Sequence, residues 1–294
     1  MAYTAIIVEP RRHPALEFVL TNFLENLSDD WNIIVFHGTE NIEYVANIVS
    51  KLERFKVRIT LHNLGVRNLT IPEYSRLFAS RSFYNNIPTE TFLVFQTDTM
   101  IFSKNKDTIH QFLQYDYVGA PWPSAIHGAR VGNGGLSLRK KSKMLHIINS
   151  RPYRGEPEDV YFCSNPLYKP TVAEAMRFSV EILFFPESFG CHKPWGYHNG
   201  ESLIRLYPEL AELHRLNSIA IAQTKPMISP KNLWLGPLKS MQSRVATNNT
   251  QDKKISSETP HTLEVFFNQE APQPLEIKPI KPKRSLLTIV RKRH

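Results

Sequence analysis

Over the first 95 residues, short apolar runs alternate with stretches whose apolar residues recur at helical spacing, and this alternation constrains the fold more than any other feature. Thr4–Val8, Asn32–Phe36, Val57–Leu61 and Phe92–Phe95 read as strands. Leu16, Val19, Leu20, Phe23 and Leu24 mark a helix after the first strand, and Ile42, Val45, Ile48, Val49 and Leu52 mark another after the second. Pro72 sits near the start of a third helix, with Tyr74, Leu77 and Phe78 on one face. Unbroken apolar runs describe strands buried on both faces, as in a parallel sheet covered by helices. The β-α-β-α-β-α-β order with short connections therefore predicts an α/β fold: a mostly parallel sheet, helices on both faces and right-handed crossovers.

The second half is less regular. Asp116–Trp122 reads as a strand end turning into a loop, Val131–Arg139 as three glycines leading into a strand, Lys140–Ile148 as a short helix and Val180–Phe185 as the last strand. Phe189–His198 reads as an aromatic, histidine-bearing loop, and residues 201–216 as one or two helical turns packing back. From about Thr224 periodicity fades, which divides the chain into a folded domain, 1–223, and a Pro-containing basic tail, 224–294, expected to be disordered. The net charge of +9 sits mostly there: residues 271–294 hold seven Lys/Arg against the single acid Glu276. The basic balance thus gives no sign that the folded body binds nucleic acid. Ser285–Val290, flanked by basic residues, could touch an anionic membrane surface or a partner, but is too short to span a bilayer. No apolar run has transmembrane length, the N-terminus lacks the pattern of a signal peptide, and the two cysteines, Cys163 and Cys191, suit neither a zinc ribbon nor a disulfide framework. A cytoplasmic location follows as an expectation.

Chemistry-bearing residues gather at four places. Asp98 follows the strand Phe92–Phe95 in the step Gln96-Thr97-Asp98. A carboxylate at the carboxyl end of a parallel strand can hold a divalent cation that in turn holds a diphosphate, or can be a solvated turn residue. The loop after the first strand, with Arg11 and Arg12, is expected to open on the same edge. Gly132-Asn133-Gly134-Gly135 lacks the spacing of a dinucleotide fingerprint. Its glycines could let backbone approach a bulky ligand, with Asn133 facing sugar hydroxyls, or form a bulge or tight turn. Glu158-Asp159 opens a helix, where the acids can complement its dipole or one can deprotonate a hydroxyl while the other supports it. In the loop carrying His192 and His198, an imidazole could share a cation with an earlier carboxylate, a donor set suiting manganese better than calcium, and Lys193 could neutralise a phosphate.

Gln-Thr-Asp-Thr after an apolar strand, Tyr-Val-Gly-Ala-Pro-Trp, Gly-Asn-Gly-Gly-Leu-Ser-Leu-Arg, Pro-Glu-Asp-Val-Tyr-Phe and Phe-Gly-Cys-His-Lys-Pro-Trp occur in that order. Together they resemble a glycosyltransferase-like family of formerly unknown function, found in large DNA viruses, bacteria and fungi and similar in fold to GT-A nucleotide-sugar transferases. The resemblance covers residues 3–215 and implies a Rossmann-like three-layer sandwich. It implies a metal-assisted transfer of a sugar from a nucleotide-diphosphate donor, UDP-linked, to a hydroxyl of a glycan, protein or lipid. Asp98 and His192 would ligate Mn2+ or Mg2+, with His198 second to His192. Gln96 falls where such enzymes carry the first acid of Asp-x-Asp; an amide can still hydrogen-bond a ribose but brings no charge. Glu9, Arg12, Gln96, Asp98, Asn133, Gly134, Gly135 and Lys193 would bind the nucleotide sugar. Asp159 would be the base with Glu158 on hydroxyls, or the reverse, and a single displacement would invert the anomeric centre. The chief alternative is a non-catalytic nucleotide- or glycan-binding module on the same fold. A glycosidase using Asp98 and Asp159, and a nucleic-acid binder led by the tail, are lesser alternatives.

Overall fold

A computed structural model describes residues 2–196 and 200–224. Its centre is a six-stranded sheet in the order β3-β2-β1-β4-β9-β6. The first four are parallel: β1 (Tyr3–Val8), β2 (Trp31–His37), β3 (Ile59–Asn63) and β4 (Thr91–Val94). β9 (Ser137–Lys140) runs antiparallel between β4 and β6 (Tyr117–Gly119). A three-stranded sheet packs beside it, where β11 (Gly190–His192) pairs antiparallel with β5 (Thr99–Ile101) and parallel with β10 (Ser179–Val180).

The apolar strands feed two cores by alternation. Ala5, Ile7, Ile33, Val35, Leu93 and Phe95 point to one face, against α1 (Leu16–Asn26) and α2 (Ile42–Lys51), and farther along against α7 (Val172–Phe178), α8 (Gly200–Leu206) and α9 (Glu209–Thr224). Ile6, Val8, Ile34, Phe36, Phe92 and Val94 point to the other, against α3 (Ile71–Phe78), α4 (Arg81–Tyr84), α5 (Lys141–Ser150) and α6 (Glu158–Cys163). A fully buried Ile, Leu or Phe contributes about 1.5–3 kcal/mol. These strands therefore hold both helical layers at once, as the three-layer α/β reading requires. α3 starts where its sequence says: Thr70 and Glu73 form a reciprocal capping box, with Pro72 in the first turn.

Four segments depart from the sequence reading. The third strand begins two residues late, because Glu53–Arg58 forms a 3-10 turn that leaves Val57 92% exposed. Arg58 drives this: its buried guanidinium donates to the carbonyl of Leu24 in the last turn of α1, to those of Leu27 and Ser28 just after it, and to that of Trp31 at the start of β2. Beyond Ala120 the chain forms a hairpin, β7 (Pro121–Ile126) with β8 (Ala129–Val131), rather than a loop. Val180–Phe185 is not a strand beyond Val180, because Glu181 turns inward to bond Asn133; the last strand, β11, lies in the segment read as loop. The helical return is longer than one or two turns and reaches Thr224. No helix among the described residues is long and apolar enough to cross a membrane. His198, Tyr197 and the tail with Ser285–Val290 lie outside the described residues.

Candidate active site

From β1 the chain goes on to β2 on one side, and from β4 it goes on to strands on the other. Open α/β sheets take their ligands at such a switch, beyond the strand ends. A cavity of about 370 Å³ lies there, lined by Glu9, Arg11, Gln96, Asp98, Asn133, Gly134, Gly135, Glu158, Asp159 and His192, with the start of α3 at its rim. Because β9 runs antiparallel to β4, the glycine segment before it arrives at the same edge as the residues after β4.

The first wall is the loop after β1. Both oxygens of buried Glu9 are taken by Arg11, through Nε at 2.8 Å and Nη2 at 2.7 Å. This hydrogen bond raises the Arg11 pKa further. Asn41 fixes the loop by donating to the carbonyls of Glu9 and Arg11 and accepting from the N–H of Gly38. Arg12 points elsewhere: its Nε donates to the Glu40 carbonyl at 3.2 Å, and it does not line the cavity. The arginine that faces Asp98 is Arg11, whose charge Asp98 also helps to hold.

The adjacent acids have different surroundings. Glu158 is gripped by Arg139, with Nη1–Oε2 at 2.6 Å and Nη2–Oε1 at 2.9 Å. Arg139 is completely buried, its guanidinium 4.8 Å from the Tyr117 ring centre and 5.3 Å from that of Phe78. A bidentate pair of this kind fixes both groups. Asp159 accepts from the backbone N–H of Gly134 at 3.2 Å and of Val160 at 2.8 Å. Burial, followed by the repulsion of Glu158, pushes its pKa up to about 6. One carboxylate is thus locked to a guanidinium while its neighbour, held by backbone N–H groups, has its pKa raised toward neutral pH.

On the opposite wall, Asp98 Oδ1 lies 3.4 Å from His192 Nε2, and Glu181 Oε1 lies 3.2 Å from His192 Nδ1. The contacts have ion-pair distances but not hydrogen-bond angles, so Asp98 Oδ1 and His192 Nδ1 are buried polar atoms without a hydrogen-bond partner among the described residues. Burial works against charge on His192, but Asp98 and Glu181 outweigh it and carry its pKa up to about 10. Burial likewise works against charge on Asp98, yet His192 and then Lys193 hold its carboxyl below the usual range. The N–H of Lys193 donates to the Asp98 carbonyl at 2.8 Å from a left-handed backbone (φ 45°), closing β11 onto the turn after β4. Its side chain is exposed and does not line the cavity. Carboxylate oxygen with imidazole nitrogen is a donor set for a first-row divalent cation. Ligands about 2.0–2.2 Å from one ion stand about as far from each other as Asp98 and His192 do. The pair therefore fits such an ion as two of its ligands once the Nε2 proton is displaced, since only the unprotonated nitrogen can ligate. Among the described residues no group of three or more His, Cys, Asp or Glu is placed to hold a metal.

Space, not conformation, demands the glycines between the walls, since neither has a positive φ. A Cβ on Gly134 would stand 2.3 Å from Glu158 Oε1, and one on Gly135 would stand 2.3 Å from the His192 ring. They do line the cavity, yet the groups that press closest on them belong to the protein. Asn133 is engaged at both ends of its amide: Oδ1 accepts from the Gly135 N–H at 3.0 Å and Nδ2 donates to Glu181 at 2.9 Å. Gln96 donates through Nε2 to the Tyr74 hydroxyl at 3.1 Å.

Sequence reasoning missed Glu181, Asn41 and Asn217, which donates to the Thr97 carbonyl from α9, and passed over the role of Arg139. A signal existed for Glu181: an acid inside the apolar run Val180-Glu181-Ile182-Leu183 is buried only when paired. Nothing in the local pattern marks Asn41 or Asn217.

Residues 58–198 match a family described as protein of unknown function (DUF5672). No curated protein matches the chain. Among solved structures, galactosyltransferase LgtC in complex with donor and acceptor sugar analogs is 12% identical with a TM-score of 0.46, over 73% of this chain and 95% of that one. S. aureus TarS 1-349 in complex with UDP-GlcNAc is 10% identical with a TM-score of 0.37, over 60% of this chain and 65% of that one. HddC from Yersinia pseudotuberculosis is 13% identical with a TM-score of 0.38, over 57% of this chain and 88% of that one.

Proposed function

We propose that the protein is a glycosyltransferase that moves a sugar from a nucleotide-diphosphate donor to a hydroxyl of a carbohydrate-bearing acceptor. The observation that carries this reading is Asp159, a carboxyl raised to about 6, facing Asp98 and His192 in one cavity at the switch point of the sheet. A general base works best with a pKa near the operating pH. In the proposed reaction Asp159 takes the acceptor proton as the acceptor oxygen bonds the anomeric carbon. The bond from that carbon to the phosphate oxygen breaks with its electron pair leaving on the diphosphate, and the centre inverts. Glu158, its charge met by Arg139, accepts hydrogen bonds from sugar hydroxyls. Arg11 faces the phosphates across the cavity. Asp98 and His192 would hold Mn2+ or Mg2+, which when bound supplies Lewis-acid stabilisation of the departing diphosphate.

The test is a panel of nucleotide sugars, UDP-linked donors first, with Mn2+ and with chelator, scored for release of nucleoside diphosphate. Release that needs metal and falls by about 10²–10⁴-fold in Asp159→Asn is expected. Release that is unchanged in both Asp159→Asn and Asp98→Ala would overturn the assignment. A second reading, a module that binds a nucleotide or glycan without turnover, is favoured by Gln96. An uncharged amide stands where an acid would serve a metal, and Tyr74 already engages it. Saturable donor binding without release of nucleoside diphosphate under any metal would establish that reading instead.

A further inference from the structure

Asn133 and Glu181 stand 48 residues apart in the chain with no shared motif, yet both side chains are buried and meet at the far side of His192. We infer that Glu181, clamped by Asn133, is the positioning residue that sets the His192 ring, holding Nδ1 so that Nε2 faces Asp98. It rests on the transferase reading only in the use made of Nε2, namely cation binding beside Asp98.

The geometry leaves His192 one orientation. Nδ1 is 3.2 Å from Glu181 Oε1, and Nε2 is 3.4 Å from Asp98 Oδ1. Gly135 closes one flank so tightly that a Cβ there would overlap the ring. The other Glu181 oxygen, Oε2, accepts from Asn133 Nδ2 at 2.9 Å, and Asn133 is itself anchored by the Gly135 N–H. The same short segment thus packs on the ring and restrains the carboxylate that orients it. A carboxylate on the second nitrogen fixes the ring and raises the basicity of the first, and losing such a partner costs about 10–100-fold in metal affinity. The 3.2 Å approach of Glu181 Oε1 to Nδ1 is an ion-pair distance, so the carboxylate acts on the ring through its charge and its position.

Role and mere packing separate in an exchange experiment. Glu181→Gln keeps an accepting oxygen for only one of its two partners: with the oxygen on His192 Nδ1–H the amide N–H meets the Asn133 N–H, and with the oxygen on Asn133 it meets the Nδ1 proton. The double variant Asn133→Asp with Glu181→Gln restores a complete chain of donors and acceptors, because the carboxylate introduced by Asn133→Asp accepts from the new amide and from the Gly135 N–H. Two measurements apply: Mn2+ affinity by electron paramagnetic resonance, and the His192 Nδ1 proton by nitrogen-proton NMR in the metal-free protein. Glu181→Ala is expected to keep its fold by circular dichroism, to lose about 10–100-fold in Mn2+ affinity and to lose the protected Nδ1 proton. The double variant is expected to regain that proton and most of the affinity lost in Glu181→Gln. A Glu181→Ala protein that folds and keeps both wild-type Mn2+ affinity and the Nδ1 proton overturns the inference, as does a double variant no better than Glu181→Gln. If the wild type binds no Mn2+, the cation reading fails by itself, and the Nδ1 proton alone still decides whether Glu181 sets the ring.

Discussion

At the scale of single residues, the adjacent acids predict the pH behaviour. As the proposed base, Asp159 must be ionised to accept a proton, so turnover should rise with pH through about 6 in a pH-rate profile. Removing the neighbouring charge with Glu158→Gln relieves the repulsion on Asp159, and the acid limb should move to lower pH. A limb that stays in place would show that some other group sets it. Arg139 has the opposite sensitivity. Cutting it to Met leaves Glu158 buried without its counter-ion, and chemical denaturation should record a loss of about 3–5 kcal/mol. The acid pair itself was legible in the sequence as two carboxylates opening a helix. Which one is gripped was not, because Arg139 reaches Glu158 only through the pairing of β9 with β4 and β6.

At the scale of elements, the glycine segment acts as a wedge between α6 and β11. Gly135→Ala forces a methyl into the His192 ring, and Gly134→Ala forces one into Glu158. Each should cost about 1–3 kcal/mol as overpacking does. The first should weaken Mn2+ binding and the second should shift the pH profile, which titration and kinetics can tell apart. At the rim, Thr70→Ala removes the cap of α3 and should lower stability by about 1 kcal/mol. The elements written in periodic apolar residues were readable in advance: β1, β2, β4, α1, α2 and α3 fall where expected. The ones that escaped are set by a single polar anchor far away in sequence. Arg58 holds residues 57 and 58 out of the strand, and Glu181 ends β10 by turning toward Asn133. Period-based reasoning is blind to such anchors because the partner is not in the window.

At the scale of the whole molecule, the shifted groups should appear in the pH dependence of stability. Asp159 binds its proton more tightly folded (about 6) than unfolded (3.8), so its contribution should fall as pH rises between those values. Thermal melts of wild type and Asp159→Asn across that range should differ in slope, with the variant the flatter. Asp98 acts in the other direction: its lowered pKa adds stability at neutral pH that is lost on acidification. Added Mn2+ should raise the melting temperature of wild type but not of Asp98→Ala, since a ligand of the native state stabilises it by mass action.

β11 is three residues long, yet it closes the cleft by pairing with β5 and by the bond from Lys193 to Asp98. The cavity wall is therefore contributed by residues from Val8 to His192, most of the described chain. Contacts so distant in sequence form late, because a long loop must close before they contribute anything. A chain in which β11 has not paired with β5 can have its parallel strands and still lack the His192 wall of the pocket. Ligand capture is then a gauge of completed folding, and a batch of protein can be graded by the fraction of molecules that bind rather than by its helical content.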